Sequence, residues 1–394
     1  MLRIGLVIDD GLDRPDGVQQ IVLTLGRRLT GLGHEVHYLT STTTRTDLPN
    51  LHVLAPSLTV KFNGNRLSTP RPASRRALRR LMADVPFDVL HIAMPYSPVL
   101  AGRVVSAAPA RTAVVGSFLI YPQDALVRWG IRGLALLERR RLRRFVSLNA
   151  NSEASQESAQ EAFGRPVPIL GPPVELPEVD TLGALAGTSG TGDADDAGGT
   201  GLPTSDEPRR IVFLGRLVER KGPRELLDAV AAMDRLPGTR PWTLTLAGRG
   251  PLLDDLRARA TAAGIADRVT FPGFIAEEDK TALLAGADLV VLPSTGGECF
   301  GISVVEALAA ATGVVLAGDN PGYRTPMAGL EDQLVDPADT DGFARALARW
   351  TADDRARAAA PARQRPAARR YEAGAITDQV VAWYEQSIAA HRDR

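Results

Sequence analysis

One order of apolar runs is written twice along this chain, and few folds can satisfy it. Residues 3–8 form a short apolar run closed by Asp9, Asp10 and Gly11; a helical periodicity follows over 18–31, then a second apolar run over 35–40. Strand, loop, helix, strand is the βαβ unit, whose parallel strands are buried on both faces by helices. Further apolar runs at 89–92, 112–116 and 145–149 alternate with helical segments. The order restarts near residue 210. Runs at 210–214, 242–247, 268–271, 289–292 and 313–317 are separated by helical patterns at 224–233, 251–263, 279–286 and 300–311. The chain therefore reads as α/β, two Rossmann-like doubly wound domains facing a cleft, with ligands at the carboxyl ends of the strands.

The stretch from 165 to 176 is proline-rich and aperiodic and reads as a hinge; 183–201, largely Gly, Thr, Ala and Asp, reads as a solvated insert. The expected division is 1–168, a hinge plus insert over 169–207, a second domain over 208–372, and a last segment, 373–394, whose helix (376–391) packs back on the first domain. Asp193 and Asp195 have the spacing of an Asp-x-Asp metal motif, yet nothing around them could build a rigid site, and no metal is expected.

Charge narrows the function. The chain has 46 Lys+Arg against 46 Asp+Glu. That leaves no surplus of cations for coating a polyanion, so nucleic acid is not an expected partner. The balance is uneven: residues 1–168 carry 22 basic and 13 acidic side chains, a net of +9, and the remainder carries 24 and 33, a net of −9. The single cysteine, Cys299, excludes an internal disulfide and suits a reducing compartment. No apolar run approaches the roughly 18 residues that span a bilayer. The opening MLRIGLVIDD reads as a buried strand, and a cytoplasmic location is expected.

The chemistry concentrates in three places. In GGECFGISVVE (296–306) a glycine pair precedes a helix, with Glu298 before it and Glu306 eight residues on. A helix N-terminus offers unpaired N–H groups and positive potential to a diphosphate, while a carboxylate further along can grip a hydroxyl. In FLGRLVERKG (213–222) a predicted strand ends in Gly215 and Arg216, and Lys221 stands just before the next helix, two cations placed to clamp a leaving diphosphate. Gly17, at the start of the first helix, permits close approach of a phosphate or reacting sugar. Read alone, the first block is equally a capped helix with two solvated glutamates, and Arg216 and Lys221 are equally surface cations. Gly248-Arg249-Gly250 begins like a dinucleotide fingerprint, but Leu253 stands where its third glycine belongs.

In their order these motifs resemble the retaining GT-B glycosyltransferases of family four, and in layout the bacterial phosphatidylinositol mannosyltransferases. PDGVQ at 15–19, FNGNRLSTP at 62–70, FDVLHI at 87–92, LAGRGPLL at 246–253, VTFPGFI at 269–275 and RRYEAGAITDQVVAWYE at 369–385 extend the likeness over most of the chain. The resemblance implies a first domain for the acceptor and a second for a nucleotide diphosphate sugar. It implies that Arg216 and Lys221 bind the pyrophosphate with the backbone of Phe300, Gly301 and Ile302, that Glu298 is the catalytic-site carboxylate on the sugar, and that Glu306 holds the ribose. Phe271 and Gly273 would border the base, Gly17 would lie under the phosphates, and Asp13, Asn63 and Leu119 would face the acceptor. It further implies hexose transfer with retention, no cofactor and no metal.

Two features bear on that implication. Many members carry a histidine where Leu119 stands, and a leucine cannot hydrogen-bond a sugar hydroxyl. A non-catalytic protein that binds nucleotide sugars or anionic lipid on the same fold is the alternative that this exchange motivates. Arg75, Arg76, Arg79 and Arg80 share one face of a predicted helix, beside Ala77, Leu78, Leu81 and Met82. A basic amphipathic helix suits an anionic membrane surface or a phosphorylated, lipid-linked acceptor, and peripheral contact with the inner face of the cell membrane is the expectation it carries.

Overall fold

The computed structural model describes residues 1–13, 17–62, 65–70, 73–95, 97–121, 125–178, 182 and 207–393. The insert at 183–201, with Asp193 and Asp195, and the proposed acceptor residue Asn63 lie outside the described residues. The chain divides into two compact units, Met1–Glu175 with Tyr371–Arg394, and Leu176–Arg370.

In the first unit the strands are β1 (Arg3–Val7), β2 (Glu35–Ser41), β3 (Leu51–Ala55), the hairpin β4 (Ser57–Phe62) and β5 (Asn65–Pro70), then β6 (Val89–Ile92), β7 (Ala113–Phe118) and β8 (Phe145–Ala150). Six of them form a parallel sheet in the order β3-β2-β1-β6-β7-β8, and the hairpin pairs only with itself. The second unit repeats the plan with β9 (Arg209–Leu214), β10 (Trp242–Ala247), β11 (Val269–Gly273), β12 (Leu289–Leu292), β13 (Val314–Gly318) and β14 (Leu334–Val335), ordered β11-β10-β9-β12-β13-β14. In both sheets the winding reverses beside the first strand, between β1 and β6 and between β9 and β12. That reversal opens a crevice at the carboxyl ends of those two strands, where ligands of open α/β sheets bind.

The near-continuous apolar runs follow from this arrangement, because each central strand is covered on both faces. All four residues of β12 and all five of β13 are buried. Core clusters lie in each unit, Leu78, Leu90, Val104 and Phe118 in the first and Leu226, Trp242, Leu256 and Phe343 in the second. The second core is partly closed by the helices Thr340–Ala352 and Asp354–Arg369, which sequence periodicity did not announce. The latter is rich in Ala and Arg and holds Pro361 and Pro366, yet it is anchored by the wholly buried Gln364. Strand β14 covers only the end of β13, and Gln364 takes the vacated ladder: its amide accepts from Val315 N at 2.8 Å and donates to the carbonyl of Gly313 at 2.9 Å.

The returning chain is stitched to the first unit where Val174 N donates to Tyr371 O and Ala373 N donates to Val174 O. Glu372 caps the next helix, accepting from Gly374 N and Ala375 N at 3.0 Å each, and that helix, Ala373–Arg392, lies on β7, β8 and the helix Gly17–Gly31. Its buried Tyr384 hydroxyl stands 2.7 Å from Nδ1 of His91, whose Nε2 is 2.7 Å from Ser117 Oγ. Burial pushes the His91 imidazole down to about 4 from an ordinary value near 6.5. Above pH 6.5 the ring is neutral in folded and unfolded chains alike. Below it the unfolded chain takes a proton that the folded one refuses until about pH 4, so stability falls across that window by roughly 3 kcal/mol. His91→Gln is expected to flatten that part of a urea-unfolding pH series. Parallel losses in both proteins between pH 6.5 and 4.5 would contradict a neutral, locked His91.

Candidate active site

The site of the second unit is assembled from the loops that leave β9 and β12. After β9 the chain passes Gly215 and Arg216 and makes a short turn, Glu219–Lys221, before the helix Pro223–Met233. Gly222 closes the turn at φ 72°, and a Cβ there would fall 2.0 Å from the carbonyl oxygen of Pro293. The two loops are therefore pinned backbone to backbone. Ser294 reinforces the contact, its Oγ 2.7 Å from the carbonyl of Arg220.

After β12 the chain runs through Gly296 and Gly297 to Glu298, and Gly301 starts the helix Ile302–Ala310 at φ 93°. A Cβ at Gly301 would lie 2.5 Å from the ring of Tyr323, which is buried. The helix begins two residues later than its periodicity suggested because Gly301 holds a left-handed conformation that the helix cannot include. No side chain caps it and its first turn has no acidic residue, so its positive end is not neutralised locally.

Glu298 is only 9% exposed. Its Oε1 takes Arg220 Nη1 at 2.5 Å and Lys221 Nζ at 2.9 Å, with Ser294 Oγ 3.0 Å away. Burial pushes this carboxyl up, but Lys221 and Arg220 outweigh it and hold it below the usual carboxylate range. Lys221 is the mirror case: burial opposes its charge, Tyr323 and Glu298 overcome it, and its ammonium sits above the ordinary lysine value. The pair is charged at neutral pH.

Glu306 lies four residues into the helix, about 6 Å along its axis from Ile302. Lys280 Nζ approaches its Oε2 at 3.2 Å and also Glu277 at 2.9 Å. Arg216 is exposed on the β9 loop. Phe271, half-buried beneath Arg257, and Gly273 at φ 83° lie in the last three residues of β11, one strand removed from β9. The side chain of Phe300 is buried, so only its backbone is offered to a ligand. Glu298 and Lys221, read from the two sequence blocks, thus meet beside the switch point of one sheet. Arg220, Ser294 and Tyr323 belong to the cluster and Lys280 pairs with Glu306, and sequence reasoning gave none of them a role. Arg220 stood inside a quoted motif without a role, and Tyr323 joins only through the tertiary fold.

In the first unit Gly17 is the exposed first residue of its helix. Asp13 is turned onto the loop after β2: Thr44 N donates to it at 2.6 Å and the hydroxyls of Thr43 and Thr44 at 3.0 and 2.7 Å. That carboxylate is engaged in holding a loop. Leu119, just past β7, is buried. Arg75, Arg76, Arg79 and Arg80 are all exposed on the helix Arg75–Asp84, whose Leu78, Leu81 and Met82 face the core. Ala77 is exposed with the arginines, so the apolar face is narrower than its sequence implied. Among the described residues no cluster of three or more His, Cys, Asp or Glu could hold a metal ion, and no helix is long and apolar enough to cross a membrane.

Two doubly wound units, one with a buried carboxylate–cation cluster at a helix N-terminus, define the GT-B class of sugar-nucleotide transferases. A solved structure of Anabaena HepE in complex with UDP shares the fold, with TM-score 0.72 and 18% identity over 98% of this chain and 100% of that one. Residues 201–370 match the family of glycosyl transferases group 1, and residues 15–176 match glycosyltransferase family 4. The phosphatidyl-myo-inositol mannosyltransferase of Mycolicibacterium smegmatis is 32% identical over 98% of this chain and 94% of its own length. Its counterpart in Mycobacterium leprae is 29% identical over 98% and 96%. The chain belongs to family 4 of the GT-B glycosyltransferases, alongside the phosphatidyl-myo-inositol mannosyltransferases, and it is a glycosyltransferase.

Proposed function

We propose that this enzyme moves a hexose of the mannose or glucose type from a nucleotide diphosphate sugar to a hydroxyl of a lipid-linked or phosphorylated polyol, with retention of configuration. The observation that supports the reading best is the charged Glu298–Lys221–Arg220 cluster beside an uncapped helix N-terminus. Arg216 and Lys221 take the diphosphate with the backbone of Phe300, Gly301 and Ile302. Glu298 takes hydroxyls of the sugar, Glu306 the ribose, and Phe271 and Gly273 border the base. In transfer, the bond from the sugar's anomeric carbon to the phosphate oxygen breaks, the acceptor oxygen bonds to that carbon from the same face, and the acceptor proton passes to the departing phosphate. The protein's own cations and amides neutralise the leaving group, so activity is expected to survive chelator. Gly17, Asp13, Asn63 and Leu119 are assigned to the phosphate and acceptor side of the reaction. A thermal-shift panel of UDP, GDP, ADP and their sugars tests the reading: one nucleotide diphosphate and its sugar should raise Tm by linkage. No shift from any of them would sink it.

The acceptor is proposed to be met at an anionic membrane surface on the cytoplasmic side. The four arginines of the helix Arg75–Asp84 support this, as does the helix Ala125–Leu137, where Trp129, Leu136 and Leu137 are 68%, 66% and 81% exposed. Arg132 lies over the Trp129 ring at 5.6 Å, and a cation beside exposed Trp and Leu suits a headgroup boundary. Changing Arg75, Arg76, Arg79 and Arg80 to Ser should abolish co-sedimentation with vesicles containing anionic lipid. Binding that is absent in the natural protein, or unchanged in the variant, would remove the membrane from the reading.

A further inference from the structure

The carboxylate of Glu298 is gripped on one side. Arg220 Nη1, Lys221 Nζ and Ser294 Oγ all converge on Oε1. The backbone that carries Arg220 is fixed as well, because its carbonyl receives the Ser294 hydroxyl and the chain is pinned two residues on at Gly222. A planar guanidinium with a fixed fork loses less freedom on binding a carboxylate than an ammonium on a flexible stem.

We infer that Arg220 is a positioning residue, which locks Glu298 at Oε1 so that Oε2 is presented to a hydroxyl of the donor sugar. The inference rests on the proposed role of Glu298 and adds the residue that makes that role work. Lys221 cannot serve alone, since a bound diphosphate would compete with Glu298 for its charge. Arg220 keeps Glu298 compensated when that happens. The charged and titratable groups around Glu298 are Arg220 and Lys221 from the β9 loop and Tyr323 from the short helix Pro321–Arg324. Of the two cations, Lys221 is assigned to the diphosphate and Arg220 has no assigned ligand.

The test uses the full chain with Arg220→Met and Arg220→Lys. The readouts are acceptor-free hydrolysis of the nucleotide sugar, and calorimetric affinities for GDP against GDP-mannose, or UDP against UDP-glucose, whichever pair stabilises the protein. Arg220→Met should lower kcat about thirtyfold, the equivalent of one lost hydrogen bond to a charged group. Affinity for the bare diphosphate should stay within about threefold, and the extra affinity contributed by the sugar should vanish. The acid limb of the kcat/KM profile should move to higher pH, because Glu298 becomes easier to protonate. Arg220→Lys should recover most of the kcat. If affinity for the bare nucleotide falls as far as kcat/KM, Arg220 is a phosphate ligand and the inference is wrong. It is equally wrong if activity follows the folded fraction with the pH profile unmoved. Glu298→Gln separates the two levels: an active Glu298→Gln overturns the role of Glu298 itself, whereas an inactive one beside a normal Arg220→Met overturns only this inference.

Discussion

Glu298→Gln is expected to lose transfer by about 10²–10³-fold while still folding and still binding nucleotide diphosphate. The amide keeps the shape of the side chain and can still accept from Arg220 and Lys221, so packing around it survives. What disappears is the negative charge, and with it the stabilisation of positive charge that grows on the sugar as the phosphate departs. Removing one such preorganised electrostatic partner costs about 3–4 kcal/mol of transition-state stabilisation, hence the range given. Two nearby cations lose their counter-ion at the same time, so some loss of Tm should accompany the change. Affinity for the bare nucleotide diphosphate should hold or rise, because an anion has been taken from beside a dianion's site. This contrast separates chemistry from folding. Full transfer by Glu298→Gln, measured with donor saturating, would show that the carboxylate is not where the reaction happens.

Much of this arrangement is legible in the sequence. The apolar runs at 210–214, 242–247 and 289–292 are β9, β10 and β12 to within a residue, because strands covered on both faces leave an unmistakable signal. Strand β3 was missed because Leu51–Ala55 sits half-exposed at the sheet edge, and β14 because two residues carry no pattern. At the site, Glu298, Glu306, Arg216 and Lys221 were visible as charges beside glycines at strand ends. Their mutual pairing was not. That Glu298 neutralises Lys221, and that Arg220 reaches the same oxygen, depends on Gly222 fitting under Pro293, a contact between residues 71 positions apart in number. Asp13 shows what spacing leaves out. It stands four residues before Gly17, and threonines from the loop after β2 bond its carboxylate, a contact made only in the fold. Spacing along the chain reports which groups can be present; only packing reports which of them are already spoken for.

Lys221→Met should produce the largest loss of donor affinity, about a hundredfold. Methionine matches the length and apolar stem of lysine, so the pocket against Tyr323 stays filled, and Glu298 keeps Arg220 on Oε1. The change therefore removes little except a positive charge. That charge is present in the folded protein across neutral pH, since the ionised Glu298 holds the ammonium protonated against its burial. A hydrogen bond from a charged donor to phosphate is worth about 1.5–3 kcal/mol, which sets the size of the effect. Arg216→Met should cost less, about tenfold, because Arg216 is exposed and its field is screened. Salt distinguishes the two: raising ionic strength should erode the difference between natural protein and Arg216→Met and leave that for Lys221→Met largely intact. Calorimetry with the nucleoside diphosphate at low and high salt measures both. If Lys221→Met binds the diphosphate as tightly as the natural protein, the phosphates do not sit on the β9 loop, and the clamp must be sought elsewhere along the carboxyl ends of the sheet.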